Sequence, residues 1–137
     1  MDYSRNLNRQ AAPDGDNRSI IIVEDEALVS EVIEMLAGDL GWEIAGTAYS
    51  GGAALSLLDK VRPTVAVIDI NLGATTSFDV SAACHVRGVP VLFVTGFTAE
   101  DIPKECGDDP ILAKPFSIED FSLALGRCLQ GQNQATV

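Results

Sequence analysis

Acidic side chains stand directly after two short apolar runs of this 137-residue chain. Glu24 and Asp25 follow the run SIIIV, and Asp69 ends the run VAVID. Later apolar runs are followed by the hydroxyl of Thr95 and by the amine of Lys114. Asp is also common where a strand gives way to a turn, so position alone assigns Asp69 no function. A functional role requires that the fold bring these five side chains together.

The chemistry open to these residues is metal-assisted phosphoryl transfer. Three carboxylates held close together repel one another unless a cation lies among them. Mg²⁺ prefers oxygen ligands and takes one or two protein carboxylates, so we expect Asp25 and Asp69 as direct ligands and Glu24 as a ligand through water. Asp69 stands alone after its run and is the expected nucleophile toward phosphorus. The metal, Lys114 and Thr95 would share the charge of the transferring oxygens.

Five apolar runs are predicted as the strands that position these residues. Helical patterns separate the runs, and five strands alternating with five helices predict an α/β fold with a doubly wound parallel sheet and right-handed crossovers. The carboxyl ends of parallel strands lie on one edge of the sheet, where all five polar side chains would then meet. The predicted strands span residues 19–23, 42–47, 64–69, 90–95 and 111–113.

Apolar spacing predicts the buried faces of the first and last helices. In the helix that begins at Ala27, the expected inner face consists of Leu28, Val32, Met35 and Leu36. The last helix is expected to begin with a capping box formed by Ser117 and Asp120. Its predicted buried residues are Ile118, Phe121, Leu125, Cys128 and Leu129.

Breaker residues indicate a weak fourth helix and two terminal tails. Residues 96–110 contain Pro103, Gly107 and Pro110, which leave room for only a turn or two of helix. Residues 1–18 are polar without an apolar period and are predicted to be a mobile tail. The folded domain is expected over 19–130, with a C-terminal tail at 131–137.

Composition limits the classes of partner and the compartment. The net charge of −11 and the pI near 4.2 disfavour binding to nucleic acid or to an anionic membrane surface. No apolar run approaches the roughly 20 residues of a membrane span, and the polar N-terminus is no signal peptide, so we expect a cytoplasmic protein. The three cysteines are odd in number and lack metal-ligand spacing, which favours packing roles.

The order and spacing of Glu24-Asp25, Asp69, Thr95 and Lys114-Pro115-Phe116 resemble those of the receiver domain of two-component response regulators. The resemblance covers about residues 19–130 and implies a CheY-like, flavodoxin-like (βα)5 fold with strand order 2-1-3-4-5. It also implies that Asp69 accepts a phosphoryl group from a histidine kinase or a phosphotransfer protein. By the same resemblance, the main-chain carbonyl of Asn71 would complete the Mg²⁺ site, and the Lys114–Pro115 peptide would be cis.

A narrower resemblance lies in FVTGF, residues 93–97, together with the NLG that follows Asp69. This pair of motifs is similar to the FAT GUY subgroup of single-domain response regulators, although Val94 and Thr98 depart from the subgroup motif. Many receivers carry an aromatic switch residue where this chain has Ile111. We therefore expect phosphorylation to be reported by ordering of residues 96–110.

The resemblance implies a stand-alone phosphorelay protein that signals through protein contacts. Its chemistry would be limited to self-phosphorylation and self-dephosphorylation at Asp69, so it is not expected to be an enzyme. The last helix and the fifth strand are the expected contact face, and a weak homodimer stays open. His85, the one histidine, is expected to have a surface or packing role away from the site.

Three alternatives stay open at the level of the sequence. The main one is an adaptor that acts without phosphorylation and carries a relict pocket. A flavodoxin-type electron carrier shares the topology, but the acids after the first strand would repel its phosphate. A phosphatase with an aspartyl nucleophile would carry a second Asp where this chain has Asn71.

Overall fold

A five-stranded parallel sheet of order β2-β1-β3-β4-β5 forms the centre of the fold. The computed structural model describes residues 18–72, 77–96 and 102–136. The observed order confirms the doubly wound, flavodoxin-like topology. Strands β1 and β5 match the predicted bounds, β3 and β4 begin one residue later than predicted, and β2 is shifted by one residue at each end. The strands are β1 (Ser19–Val23), β2 (Glu43–Ala48), β3 (Val65–Asp69), β4 (Val91–Thr95) and β5 (Ile111–Ala113).

In the described part of the chain, four α-helices cover the two faces of the sheet: α1 (Ala27–Asp39), α2 (Gly51–Leu58), α3 (Ser77–Val86) and α4 (Ile118–Thr136). Alternate residues of the central strands point to opposite faces and supply two separate apolar clusters. Helices α2 and α3 pack on the first cluster, and α1 and α4 pack on the second. Full burial of β3 on both faces explains its unbroken apolar sequence.

The predicted inner face of α1 is wrong at three of its four positions, and only Leu36 packs against the second cluster. The residues buried in α1 are Ser30, Ile33 and Ala37, which recur at helical spacing against the second cluster. In contrast, α1 exposes three of the four residues that were expected inside: Leu28 by 77%, Val32 by 48% and Met35 by 60%. Both stripes contain apolar residues at helical spacing, so the spacing alone does not identify the stripe that faces the sheet. The helix ends before Gly41, whose φ of +91° suits glycine.

Helix α4 begins as the sequence predicts. The Asp120 amide donates to Ser117 Oγ at 3.1 Å, and the Ser117 amide donates to Asp120 Oδ2 at 3.4 Å, which is the capping box. Phe121, Leu125 and Cys128 are buried, as expected. The helix continues through Thr136, so residues 131–136, expected as a tail, are helical.

The fourth connection holds a three-residue 3₁₀ helix at Lys104–Cys106, in keeping with the turn or two expected there. Residues 1–17 of the predicted N-terminal tail and residues 97–101 of the predicted ordering segment lie outside the described residues. None of the helices in the described part of the chain combines the length and the apolarity that crossing a membrane requires.

Candidate functional site

Glu24 leaves β1 at the carboxyl edge of the sheet with its side chain fully buried. Its backbone amide donates to the Ala48 carbonyl at 3.0 Å, which continues the pairing of β1 with β2. The carboxylate accepts from the Glu26 amide at 3.2 Å and from Lys114 Nζ at 3.2 Å. Burial and the neighbouring charge of Asp69 nevertheless raise the pKa of Glu24 to about 7. Its two hydrogen bonds therefore do not compensate fully for the loss of water.

Asp69 is the last residue of β3 and is 5% exposed. Asp69 Oδ1 accepts a hydrogen bond from the Asn71 amide at 3.1 Å, and Oδ2 lies 3.6 Å from Lys114 Nζ. The next residue, Ile70, donates its amide to the Val94 carbonyl at 3.0 Å, which extends the pairing with β4 beyond the strand. The Asp69 carboxylate is thus held at a fixed place on the edge of the sheet.

Lys114 follows β5 and reaches both acids. Its backbone amide donates to the Thr95 carbonyl at 2.7 Å, so the end of β4 fixes its position. Burial alone would lower the pKa of Lys114, but the carboxylates of Asp69 and Glu24 raise it above its usual value. The Lys114–Pro115 peptide is cis, as the family resemblance implies. Lys114 is therefore a charged amine shared by the two buried acids.

Asp25 completes an acidic cluster with Glu24 and Asp69. Each contributes a carboxylate oxygen, and these oxygens lie within 4.8 Å of one another. Asp25 is exposed, so the cluster opens to solvent on its side. One ammonium group does not balance three carboxylates, and the charge of Asp69 adds to burial in raising the pKa of Glu24. The donor set and this excess of negative charge fit a hard divalent cation.

Thr95 ends β4 and is 1% exposed. It lies in register with Ala113 of β5, which directly precedes Lys114. All five polar residues predicted from the strand ends therefore belong to one edge of the sheet. Asn71, two residues after Asp69, is exposed.

Two features of the site were not predicted from the sequence. Glu24 was expected as a ligand through water, and its direct ion pair with Lys114 went unrecognised. Ser77, which is fully buried, donates its hydroxyl to the Ile70 carbonyl at 2.6 Å. In the sequence, Ser77 gives only a weak signal for the start of a helix, three residues before the apolar Val80. That signal does not identify the Ile70 carbonyl, seven residues earlier, as its hydrogen-bond partner.

A shallow apolar groove lies beside the acidic cluster, with a volume of about 480 Å³. Its walls come from α1 and from the residues that follow β5. Lys114 lines the groove and also contacts Glu24 and Asp69, so the groove and the acidic cluster are continuous. The lining residues are Leu28, Val29, Val32, Ile33, Lys114, Pro115 and Phe116.

His85 lies outside this site, as expected. It is at the end of α3, half exposed, with Nε2 2.9 Å from Asp109 Oδ2. Burial raises the pKa of Asp109, and the nearby His85 opposes that shift.

Curated relatives match most of this chain but extend beyond it. The probable transcriptional regulatory protein TcrX of Mycobacterium tuberculosis is 32% identical over 132 residues, which cover 90% of this chain and 55% of TcrX. The chain therefore spans about half the length of this relative.

Solved structures match over nearly their whole length. SdrG from Sphingomonas melonis is 31% identical, with a TM-score of 0.73 over 82% of this chain and 96% of SdrG. The receiver domain of PhyR from Erythrobacter litoralis is 27% identical, with a TM-score of 0.73 over 85% of this chain and 93% of that domain. The match to PhyR is consistent with the single-domain subgroup that the FVTGF motif indicates. The family model of the response regulator receiver domain matches residues 20–125, and the chain belongs to this family of two-component signalling proteins.

Proposed function

We propose that this protein is a phosphoryl acceptor, in which Asp69 receives its phosphoryl group from a histidine kinase or a histidine phosphotransfer protein. The observation that carries the proposal is the position of Lys114 Nζ, 3.2 Å from Glu24 and 3.6 Å from Asp69. Beside it lies a group of three carboxylates that fits a divalent cation. This combination suits charge stabilisation during phosphoryl transfer.

In the proposed reaction, the Asp69 carboxylate attacks phosphorus in line with the donor nitrogen. The new bond joins phosphorus to an Asp69 oxygen, the phosphorus–nitrogen bond breaks, and the donor imidazole keeps the electron pair. Lys114 and the hydroxyl of Thr95 stabilise the negative charge on the transferred oxygens. The Asn71 amide orients the carboxylate through its bond to Oδ1.

Mg²⁺ is the cation proposed for the acidic cluster. Glu24, Asp25, Asp69 and the main-chain carbonyl of Asn71 would hold it, directly or through water. When bound, it would neutralise part of the charge on the acids and on the phosphoryl oxygens. Support comes from the closeness of the three carboxylates and from the raised pKa of Glu24.

The groove beside the cluster is the proposed docking place for an amphipathic helix of the donor protein. Leu28, Val32 and Met35 are exposed on α1, and Lys114 connects the groove to the acceptor. A donor helix seated there would lie next to Asp69. A donor with a basic rim would also complement the net charge of −11.

The phosphorylated form is proposed to act in the cytoplasm through contacts with other proteins. All three cysteines are buried free thiols, which supports a reducing compartment. The strongly acidic composition supports protein partners over nucleic acid. The last helix and the fifth strand are the proposed contact face, and a weak homodimer through that face stays open.

A small acyl-phosphate donor tests the proposed function without the kinase. Wild type incubated with the donor and Mg²⁺ is expected to gain the mass of one phosphoryl group, and the gain should disappear without Mg²⁺. Asp69→Asn should show no gain, whereas Asp39→Asn, at the exposed end of α1, should behave as wild type. No gain in wild type would favour the phosphorylation-independent adaptor. A gain that survives Asp69→Asn would assign the reaction to another acid.

A further inference from the structure

The first two residues of α3 anchor the chain that leaves the acceptor. Ser77 is fully buried, and its hydroxyl donates to the Ile70 carbonyl at 2.6 Å. The ring of Phe78 packs against Phe93 of β4, with the ring centroids 5.8 Å apart. The start of α3 is therefore fixed both to the residue that follows β3 and to the middle of β4.

Ile70 is consequently held on both sides of its backbone. Its amide donates to the Val94 carbonyl at 3.0 Å, and its carbonyl accepts from Ser77 Oγ. That carbonyl belongs to the same peptide group as the Asn71 amide, which donates to Asp69 Oδ1 at 3.1 Å. Because a peptide group is planar, the bond that fixes the Ile70 carbonyl also fixes the direction of the Asn71 N–H.

We propose that Ser77 is a positioning residue for phosphoryl acceptance, because its hydroxyl orients the 70–71 peptide whose N–H holds the Asp69 carboxylate. Ser77 acts through this peptide and does not touch the phosphoryl group. The role deepens the proposed function and rests on it. The 70–71 peptide also positions Asn71, whose own carbonyl is the proposed main-chain metal ligand. Loss of the Ser77 bond should therefore weaken Mg²⁺ binding as well.

Ser81 provides a matched comparison on the same helix. It is also buried, at 4% exposure, but its hydroxyl donates to the Phe78 carbonyl at 3.1 Å, within the first turn of α3. Replacing either serine by alanine removes one hydroxyl and one hydrogen bond. Only the Ser77 bond reaches the segment after Asp69, so a purely structural role would give the two variants the same properties.

The test compares wild type with Ser77→Ala, Ser77→Cys and Ser81→Ala. Amide hydrogen exchange of Asn71 should become about fivefold faster in Ser77→Ala, the factor typical for loss of one net hydrogen bond. Exchange of Ile70, whose N–H is paired with Val94, should stay as in wild type. The rate of phosphoryl gain from the small donor should fall by a similar factor, with a weaker apparent affinity for Mg²⁺. The Cys thiol is a weaker hydrogen-bond donor than the Ser hydroxyl, so both rates in Ser77→Cys should lie between those of wild type and Ser77→Ala.

Two results would overturn the positioning role. One is exchange at Asn71 that is equal in Ser77→Ala and Ser81→Ala. The other is phosphoryl gain in Ser77→Ala at the wild-type rate. Failure of the proposed function is separate, because it would appear as no phosphoryl gain in wild type itself and would remove any role of Ser77 in acceptance.

Discussion

The raised pKa of Glu24 predicts that stability in the absence of Mg²⁺ depends on pH. The group titrates at about 7 in the folded protein against an ordinary value of 4.5, because burial and Asp69 disfavour its charged form. The folded state therefore binds more protons than the unfolded state between these values. This contribution to stability is complete below about pH 4.5 and is lost as pH rises through about 7.

The expected change in unfolding free energy follows from the difference between the folded and unfolded pKa values of Glu24. Each unit corresponds to about 1.4 kcal/mol, so wild type should lose about 3 kcal/mol of unfolding free energy across this window relative to a variant that cannot titrate. Glu24→Gln is that variant, since it keeps the shape of the side chain and has no charge to lose. The measurement is urea unfolding at pH 4 to 8 in a chelator, followed by the fluorescence of Trp42, the one tryptophan, which is buried.

Glu34→Gln is the matched control, because it removes a glutamate of α1 that accepts from Thr47 and leaves the pair of Glu24 and Asp69 intact. It should keep the wild-type dependence on pH. Saturating Mg²⁺ should flatten the wild-type curve, because the cation stabilises the ionised form of the cluster. Wild-type and Glu24→Gln curves that run parallel from pH 4 to 8 would refute the electrostatic account of the site.

Two further predictions concern docking and the core. Val32→Asp, on the exposed stripe of α1, should slow phosphoryl transfer from a phosphorylated histidine phosphotransfer protein at least tenfold. It should leave the reaction with a small acyl-phosphate donor unchanged. Leu123→Asp, on the exposed side of α4, should slow neither, and the reverse pattern would move the donor to α4. Phe121→Ala, which removes a fully buried ring, should lower the unfolding free energy by about 3–5 kcal/mol in urea titrations. The control Leu123→Ala, at an exposed position, should lower it by less than about 0.5 kcal/mol. A similar loss in both variants would contradict the packing of α4.

The sheet, and the meeting of the polar residues at one edge of it, were predictable because they depend on order along the chain. Unbroken apolar runs identify strands that are buried on both faces, and parallel topology sends the residues after Val23, Ile68 and Ala113 to one edge. The capping box of α4 was predictable because it needs only Ser117 and a carboxylate three residues later.

The features that were not predicted correctly depend on packing in three dimensions, which the spacing of apolar residues along the sequence does not specify. In α1, one stripe contains Leu28 and Val32 and the other contains Ile33 and Ala37, so both satisfy a helical repeat. Only packing on the sheet decides which of the two stripes lies inward. The bond of Ser77 to Ile70 crosses seven residues and depends on where α3 starts in space, which local spacing does not specify.

The central claim is that Asp69 is the residue that accepts the phosphoryl group. Borohydride reduces an acyl phosphate to an alcohol, so treatment of wild type after reaction with the small donor and Mg²⁺ marks the acceptor permanently. Peptide mass spectrometry should then find homoserine at position 69 and unmodified acids at Glu24 and Asp25. Reduction at Glu24 or Asp25, or an unreduced Asp69 in protein that has gained phosphate, would contradict the account.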